Sequence, residues 1–289
     1  MNNIIIKKHN NVEILNTVAE TRLYLDKEKK LNKTIGFVPT MGALHQGHLD
    51  LVKQARKEND VVVVSIFVNP IQFNNKEDLE KYPRTFENDA ALLESVGCDL
   101  IFYPTVKEMY PEPDTTIYDF GNLDKVMEGK HRPGHFNGVA IVVKRLFDII
   151  NPDKAYFGEK DFQQLAIVKA MVAQLNLPVI IIPCETVREK DGLAMSSRNT
   201  RLEPNEWNLA PFIYLTLSKA KEKAKDTNVK ELEQWVINEF NQHKEFKIEY
   251  FEIVDTRTLQ PIETFKDKSA IGCIAVFMGD VRLIDNIKF

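Results

Sequence analysis

Cysteine is too scarce in this chain to hold it together. Among 289 residues only Cys98, Cys184 and Cys273 are cysteines. They are odd in number, far apart and form no Cys-x-x-Cys pair. A disulfide framework and a zinc site built from thiolates are therefore excluded, and reduced, buried thiols of a cytosolic protein are expected. Long apolar runs are also missing, since none approaches the ~20 residues that span a bilayer. The Met1–Asn10 segment has a three-residue isoleucine run and two lysines, too little for a signal peptide. A soluble, cytoplasmic protein with no membrane partner is expected. Positive charge is not in excess: 38 Lys and Arg face 42 Asp and Glu, a net charge of −4. That excludes the broad basic face of a general nucleic-acid binder, and any phosphate ligand must be held by local groups. No Gly-x-Gly-x-x-Gly follows a strand, so a dinucleotide fingerprint is absent. Internal repeats, low-complexity tracts, a Ser-His-Asp order and paired carboxylates are absent as well.

What is present is ordinary for a globular chain: 44% hydrophobic and 28% charged residues. A chain this long buries about three-quarters of its unfolded surface. Asn10-x-x-Glu13 has the form of a capping box, which predicts a helix ending in the solvated run 27–30. Short apolar runs at 34–38, 61–68, 99–103, 154–157 and 179–182 then alternate with helical spacing at 49–59, 85–96, 136–150 and 161–175. Continuous apolar strands such as Val61-Val-Val-Val-Ser-Ile-Phe67 suit a parallel sheet covered on both faces. The expectation is a doubly wound, Rossmann-like α/β domain of roughly five strands. After Cys184 the pattern changes. Helical spacing at 207–225 and 229–240 precedes strands at 247–254, 270–277 and 281–284 with no helix between them, which predicts a smaller α+β domain with an antiparallel sheet. The boundary falls near Thr186, giving domains 1–185 and 186–289.

The most informative segment is Gly36-Phe-Val-Pro-Thr-Met-Gly-Ala-Leu-His45-Gln-Gly-His48. A strand enters a Pro/Gly turn, two histidines follow three residues apart, and an amphipathic helix begins. At the carboxyl end of a strand in an α/β sheet, free helix N–H groups are expected to face an anion. Gly42 and Gly47 have P-loop spacing, but His48-Leu49 stand where a P-loop has Lys-Ser/Thr. His45 and His48 also fit plain helix caps or half of a metal site.

Four further segments fall at strand ends or in adjoining loops. In Phe67-Val-Asn69-Pro70-Ile-Gln72-Phe73, Asn-Pro ends a strand and Gln72 offers donors and an acceptor to a polar ligand. In Lys130-His131-Arg132-Pro133-Gly134-His135, the first three side chains also suit a solvated face. In Phe157-Gly158-Glu159-Lys160-Asp161-Phe-Gln163-Gln164, a lysine opens a helix against the dipole, which is tolerated when an anion sits there; a surface lysine with Asp161 as the N-cap also fits. In Asp191-Gly-Leu-Ala-Met195-Ser196-Ser197-Arg198-Asn199, two hydroxyls and a guanidinium suit a polyphosphate tail.

His-x-Gly-His at a strand-to-helix turn resembles the nucleotidyltransferase superfamily. The five segments together, in order over residues 34–201, closely resemble the pantothenate synthetase (pantoate–β-alanine ligase) family. One residue departs from that pattern: Ile141 stands where a threonine is expected. The resemblance implies ATP-dependent condensation of pantoate with β-alanine through pantoyl adenylate, releasing AMP and pyrophosphate. It implies ATP as substrate, Mg²⁺ on its phosphates with Asp89 as a candidate ligand, and a homodimer. It makes His48, His45 and Lys160 catalytic. ATP would be bound by Met41, Gly42, Ala43, Leu44, His45, Gln46, Gly47 and His48, by Gly158, Glu159, Lys160 and Asp161, and by Val187, Met195, Ser196, Ser197 and Arg198. Gln72, Gln164, Pro39, Met41 and Phe157 would bind pantoate, and Gln72 would also meet β-alanine. Two rivals are a nucleotidyltransferase of the same superfamily, such as a cytidylyltransferase, which has no need of the two glutamines, and a nucleotide-sensing module, which need not keep Lys160.

Overall fold

The apolar strands alternate their side chains between two covered faces, and that alternation builds the first sheet. The computed structural model describes residues 12–266 and 269–289. Strands β1 (Glu13–Leu15), β2 (Ile35–Thr40), β3 (Val61–Ile66), β4 (Leu100–Phe102), β5 (Lys154–Gly158) and β6 (Ile180–Cys184) form one sheet in the order β1-β4-β3-β2-β5-β6. The pairings β1–β4, β4–β3, β3–β2 and β2–β5 are parallel. Val38, Val62, Val64 and Ile66 share one core with Val52, Ala55, Ala90 and Leu93 from the helices Gln46–Glu58 and Phe86–Ser95. On the opposite pleat, Phe37 meets Phe147 of the helix His135–Ile150 edge-on, with ring centroids 6.3 Å apart. This is the doubly wound α/β class expected from the sequence.

The sheet has six strands rather than roughly five. The additional one, β1, overturns the helix expected to open at the Asn10-x-x-Glu13 capping box. Glu13, Ile14 and Leu15 pair with Leu100, Ile101 and Phe102, and the helix begins only at Val18, capped by the Thr17 side chain. Asn10, the other half of the supposed capping box, lies outside the described residues. The strand order reverses between β2 and β5, so the crevice at their carboxyl ends is the topological switch point, where ligands of such sheets bind. Among the described residues no helix is long and apolar enough to cross a membrane.

By its contacts the chain divides into two compact units. The first holds the parallel sheet and comprises 1–117, 137–157 and 172–184. The second comprises 118–136, 158–171 and 185–289. It contains strands β7 (Phe246–Asp255), β8 (Ala270–Met278) and β9 (Val281–Lys288), paired antiparallel in that order. Helices Phe212–Lys223 and Val229–Asn241 pack a core of Leu217, Val236, Phe240, Ile274 and Val276 with this sheet. A second cluster joins Val254, Ile271 and Cys273 to Met127. The single helix expected at 207–225 is two, Pro204–Leu209 and Phe212–Lys223, because Pro211 interrupts it.

In the first unit, Gly138 lets its helix touch the turn after β3. A Cβ there would lie 2.8 Å from both Gln72 Cα and Ile71 O. Gly138→Ala gains helix propensity yet must push that backbone away, so a net loss of about 1–2 kcal/mol is expected. A urea melt measures it. An unchanged or higher midpoint would show that the turn yields freely.

Candidate active site

The turn after β2 is shaped by two consecutive left-handed residues, Gly42 (φ 79°) and Ala43 (φ 50°). A buried carboxylate holds them. Asp89 Oδ2 accepts from the Ala43 N–H at 2.9 Å and Oδ1 from the Leu44 N–H at 2.8 Å, and the Thr85 hydroxyl donates to the same carboxylate. Burial raises the Asp89 carboxyl above its ordinary value, while the bonds from Leu44, Ala43 and Thr85 act the other way. The amides of Ala43 and Leu44 are thus engaged inside the protein. Asp89, proposed as a magnesium ligand, turns both oxygens to backbone amides.

His45 is the N-cap of the helix Gln46–Glu58, its Nδ1 accepting from the Gly47 N–H at 3.2 Å. The His48 Nδ1 accepts from the His45 N–H at 3.3 Å, completing a capping box. The His48 N–H itself bonds to the His45 carbonyl, so it too is not a free helix amide. A neutral imidazole that accepts at Nδ1 carries its proton at Nε2. Both rings therefore bear Nε2–H donors, and their centroids lie 4.1 Å apart. The capping role and the donor role coexist, one on each ring nitrogen.

In the same unit, Pro39 lies in β2, Met41 follows its end, and buried Phe157 lies in β5. After β3, Gln72 is buried and its Nε2 donates to the Met41 sulfur at 3.2 Å. Asn69 was read from sequence as a strand terminator only. It is 1% exposed and organises this corner. Its Nδ2 donates to Gln72 Oε1 at 3.2 Å and to the Gly138 carbonyl at 3.1 Å, and its Oδ1 accepts from the Tyr110 hydroxyl at 3.0 Å. Ile141, at the departure from the family pattern, is buried in the helix His135–Ile150.

The second unit carries the remaining candidates. Glu159–Asp161 form a short 3-10 turn after Gly158, and the helix Phe162–Gln174 follows. Lys160 has no ion-pair partner among the described residues, and the half-buried Gln164 amide has no hydrogen bond among them. Gln163, its neighbour, is buried and structural, donating to the Leu123 and Val126 carbonyls and accepting from the Glu128 N–H. Val187 accepts at its carbonyl from the Met195 N–H, closing the loop that leads to Ser196. Ser196 caps the 3-10 helix Ser197–Arg201, accepting from the Arg198 N–H at 3.3 Å. Ser197 is buried and Arg198 half-buried. A cleft of about 520 Å³ in this unit is lined by Glu159, Thr186, Arg188, Tyr214 and Asn286, among others.

Arg132 is not part of a solvated face. Its Nη1 lies 2.6 Å from Glu128 Oε1 and 3.3 Å from His135 Nε2, and Arg282 bridges Glu128 to Glu249 at 3.2 and 2.7 Å. Burial works to raise the Glu128 carboxyl, but Arg282 and Arg132 overcome it and hold the group at about 2. His131 stacks on Tyr250. Nothing in the sequence signalled this ring of charges, because its members are distant along the chain.

Three comparisons place this geometry among known proteins. A family model described as pantoate-beta-alanine ligase matches residues 13–288. The pantothenate synthetase of Porphyromonas gingivalis is 52% identical over 279 residues, spanning 96% of this chain and 99% of that protein. A crystal structure of pantothenate synthetase from Thermus thermophilus is similar at TM-score 0.90 and 46% identity, covering 96% of this chain and 99% of that one. The pantoate-beta-alanine ligase of Francisella tularensis, solved with beta-gamma ATP and beta-alanine, is similar at TM-score 0.81 and 36% identity, covering 96% and 97% of the two chains.

Glu128 yields a pH dependence with a definite sign. Its folded value of about 2 lies below its ordinary 4.5, so its contribution is present above 4.5 and is lost as pH falls toward 2. The shift corresponds to roughly 3 kcal/mol. Urea midpoints measured across that window should fall for the parent and fall less for Glu128→Gln. Parallel profiles would contradict this assignment.

Proposed function

The chain belongs to the pantoate-beta-alanine ligase family, and from that premise we propose how its own residues divide the work of joining pantoate to β-alanine at the expense of ATP. In the first step a pantoate carboxylate oxygen attacks the α-phosphorus. The new O–P bond forms as the bond to the bridging oxygen of pyrophosphate breaks. In the second, the β-alanine amine attacks the acyl carbon, the C–N bond forms, a proton leaves the nitrogen and AMP departs.

The observation that carries the residue assignment is the paired capping of His45 and His48, which leaves Nε2–H on both rings as a donor. Charge that grows on phosphate oxygens is met by such fixed donors without reorganisation. His48 is the proton donor in this reading, with His45 and the turn from Met41 to Gly47 beside the triphosphate. Lys160, with no carboxylate to neutralise it among the described residues, offsets charge at the α-phosphate. Ser196, Ser197 and Arg198, with Met195, take the pyrophosphate end, and Gly158, Glu159, Asp161 and Val187 the nucleoside. Gln72 and Gln164 bind the hydroxyls and carboxylate of pantoate, Pro39, Met41 and Phe157 line its gem-dimethyl pocket, and Gln72 also meets β-alanine. We assign nucleotide and pantoate binding to residues 1–185 and a lid role to residues 186–289.

Among the described residues no group of three or more His, Cys, Asp or Glu could hold a metal ion. Asp89 is engaged by amides. Magnesium is therefore read as part of the ATP substrate. A homodimer follows from the resemblance alone. A cytoplasmic setting is supported by three free, buried cysteines.

His48→Ala removes one half of the capping box and a donor together. A stability loss of about 1 kcal/mol is expected from the cap. Turnover should fall by about 10²–10³, the range for one transition-state donor. Steady-state kinetics beside a melting curve separates the two. Near-normal turnover in the folded variant would reduce His48 to a cap.

A further inference from the structure

Lys160 lies on a three-residue 3-10 turn, too short to fix its own orientation. Two adjacent residues of β9 supply what the turn lacks. Asn286 is 8% exposed, and its Nδ2 donates to the Glu159 carbonyl at 2.9 Å and to the Lys160 carbonyl at 3.0 Å. One amide group thus holds both carbonyls that flank the Lys160 Cα, which sets the direction in which that side chain leaves the backbone. The strand does not need this side chain, since Asn286 is already paired with Cys273 in the β8–β9 ladder. Another tie to the turn is the pair of Lys288 with Glu159, whose lysine side chain is 52% exposed and contributes little.

The next residue anchors the second nucleotide segment. Asp285, with a side chain 3% exposed, is gripped by Arg188 through a fork of 2.6 and 2.9 Å. Arg188 also donates to the Gly192 carbonyl and to the Asn286 carbonyl. The Asn286 N–H closes the set on Asp285 Oδ1 at 2.8 Å. One short piece of strand therefore carries both the turn bearing Lys160 and the 187–195 loop that leads to Ser196.

We propose that Asn286 is a positioning residue for the reaction, holding the Lys160 turn in the orientation that adenylate formation requires while Asp285 and Arg188 hold the neighbouring loop on the same strand. The proposal rests on the reading of Lys160 as the cation at the α-phosphate. A misplaced catalytic group loses rate steeply. Asn286→Ala should slow adenylate formation roughly tenfold at saturating ATP and pantoate, with little change in the KM for ATP. Rapid-quench single turnovers read this step, and a chase of the bound adenylate with β-alanine reads the second, which should keep its rate.

A role confined to stability would not distinguish the two steps. The deciding measurement repeats the substitution in Lys160→Ala. If Asn286 acts through Lys160, the second substitution costs less than about twofold there, because coupled residues are non-additive. A full tenfold loss in that background, or no loss in the parent, overturns the proposal. An unaffected Lys160→Ala would instead overturn the reading of Lys160 itself. Should Asn286→Ala fail to fold, Asn286→Ser, which keeps one donor, is expected to lose part of the adenylation rate; a parental rate in that variant also overturns it.

Discussion

Two amide–carboxylate hydrogen bonds govern the first unit. Asp89, accepting from Ala43 and Leu44, holds Ala43 at a positive φ beside Gly42. An alanine there is strained by roughly 1 kcal/mol or more, and the surrounding structure must over-determine it. The carboxylate does so from a buried site, where leaving those amides unpaired would also be costly. The residues after Leu44 then start from a fixed point. The helix begins at Gln46, the two imidazoles lock one another into a capping box, and each keeps Nε2 as the donor nitrogen. A local constraint so becomes a chemical property, the tautomer of two histidines.

The second unit solves a related problem with charge. Loops and 3-10 turns carry its candidate residues, and such segments have few hydrogen bonds of their own. Arg188 on Asp285 and Arg282 on Glu128 and Glu249 are buried or half-buried pairs. Pairs of this kind contribute little net stability against an apolar substitute, but breaking one partner is costly. Their effect is to fix a single arrangement of neighbouring backbone. Asn286 and Gln163 act likewise without charge, each side-chain amide joining two backbone carbonyls.

Most of the architecture was legible because the information was local. Short continuous apolar runs identified β2, β3 and β5, and the change of pattern after Cys184 identified the antiparallel sheet. What escaped depended on partners far along the chain. Glu13–Leu15 is a strand only because Leu100–Phe102 offers it an edge, while Asn10-x-x-Glu13 mimics a cap. The His-x-Gly-His segment was recognisable, yet the partners of its amides were not: those of Ala43 and Leu44, in the turn before the helix, meet a carboxylate 45 or 46 positions away, and those of Gly47 and His48 meet His45. Asn69 reads from sequence as a turn residue, because its contacts with Gly138 and Tyr110 leave no trace in spacing. Arg188 and Asn286 carried no signal at all.

In the proposed mechanism His48 and Lys160 stabilise charge at an α-phosphate attacked by pantoate. Exchange of labelled pyrophosphate into ATP without β-alanine tests it most directly, because only a reversible first step returns the label. Exchange should require pantoate and fall by about 10² or more in Lys160→Ala, because developing charge there loses its fixed partner. Exchange without pantoate, or release of ADP and phosphate in its place, would contradict it.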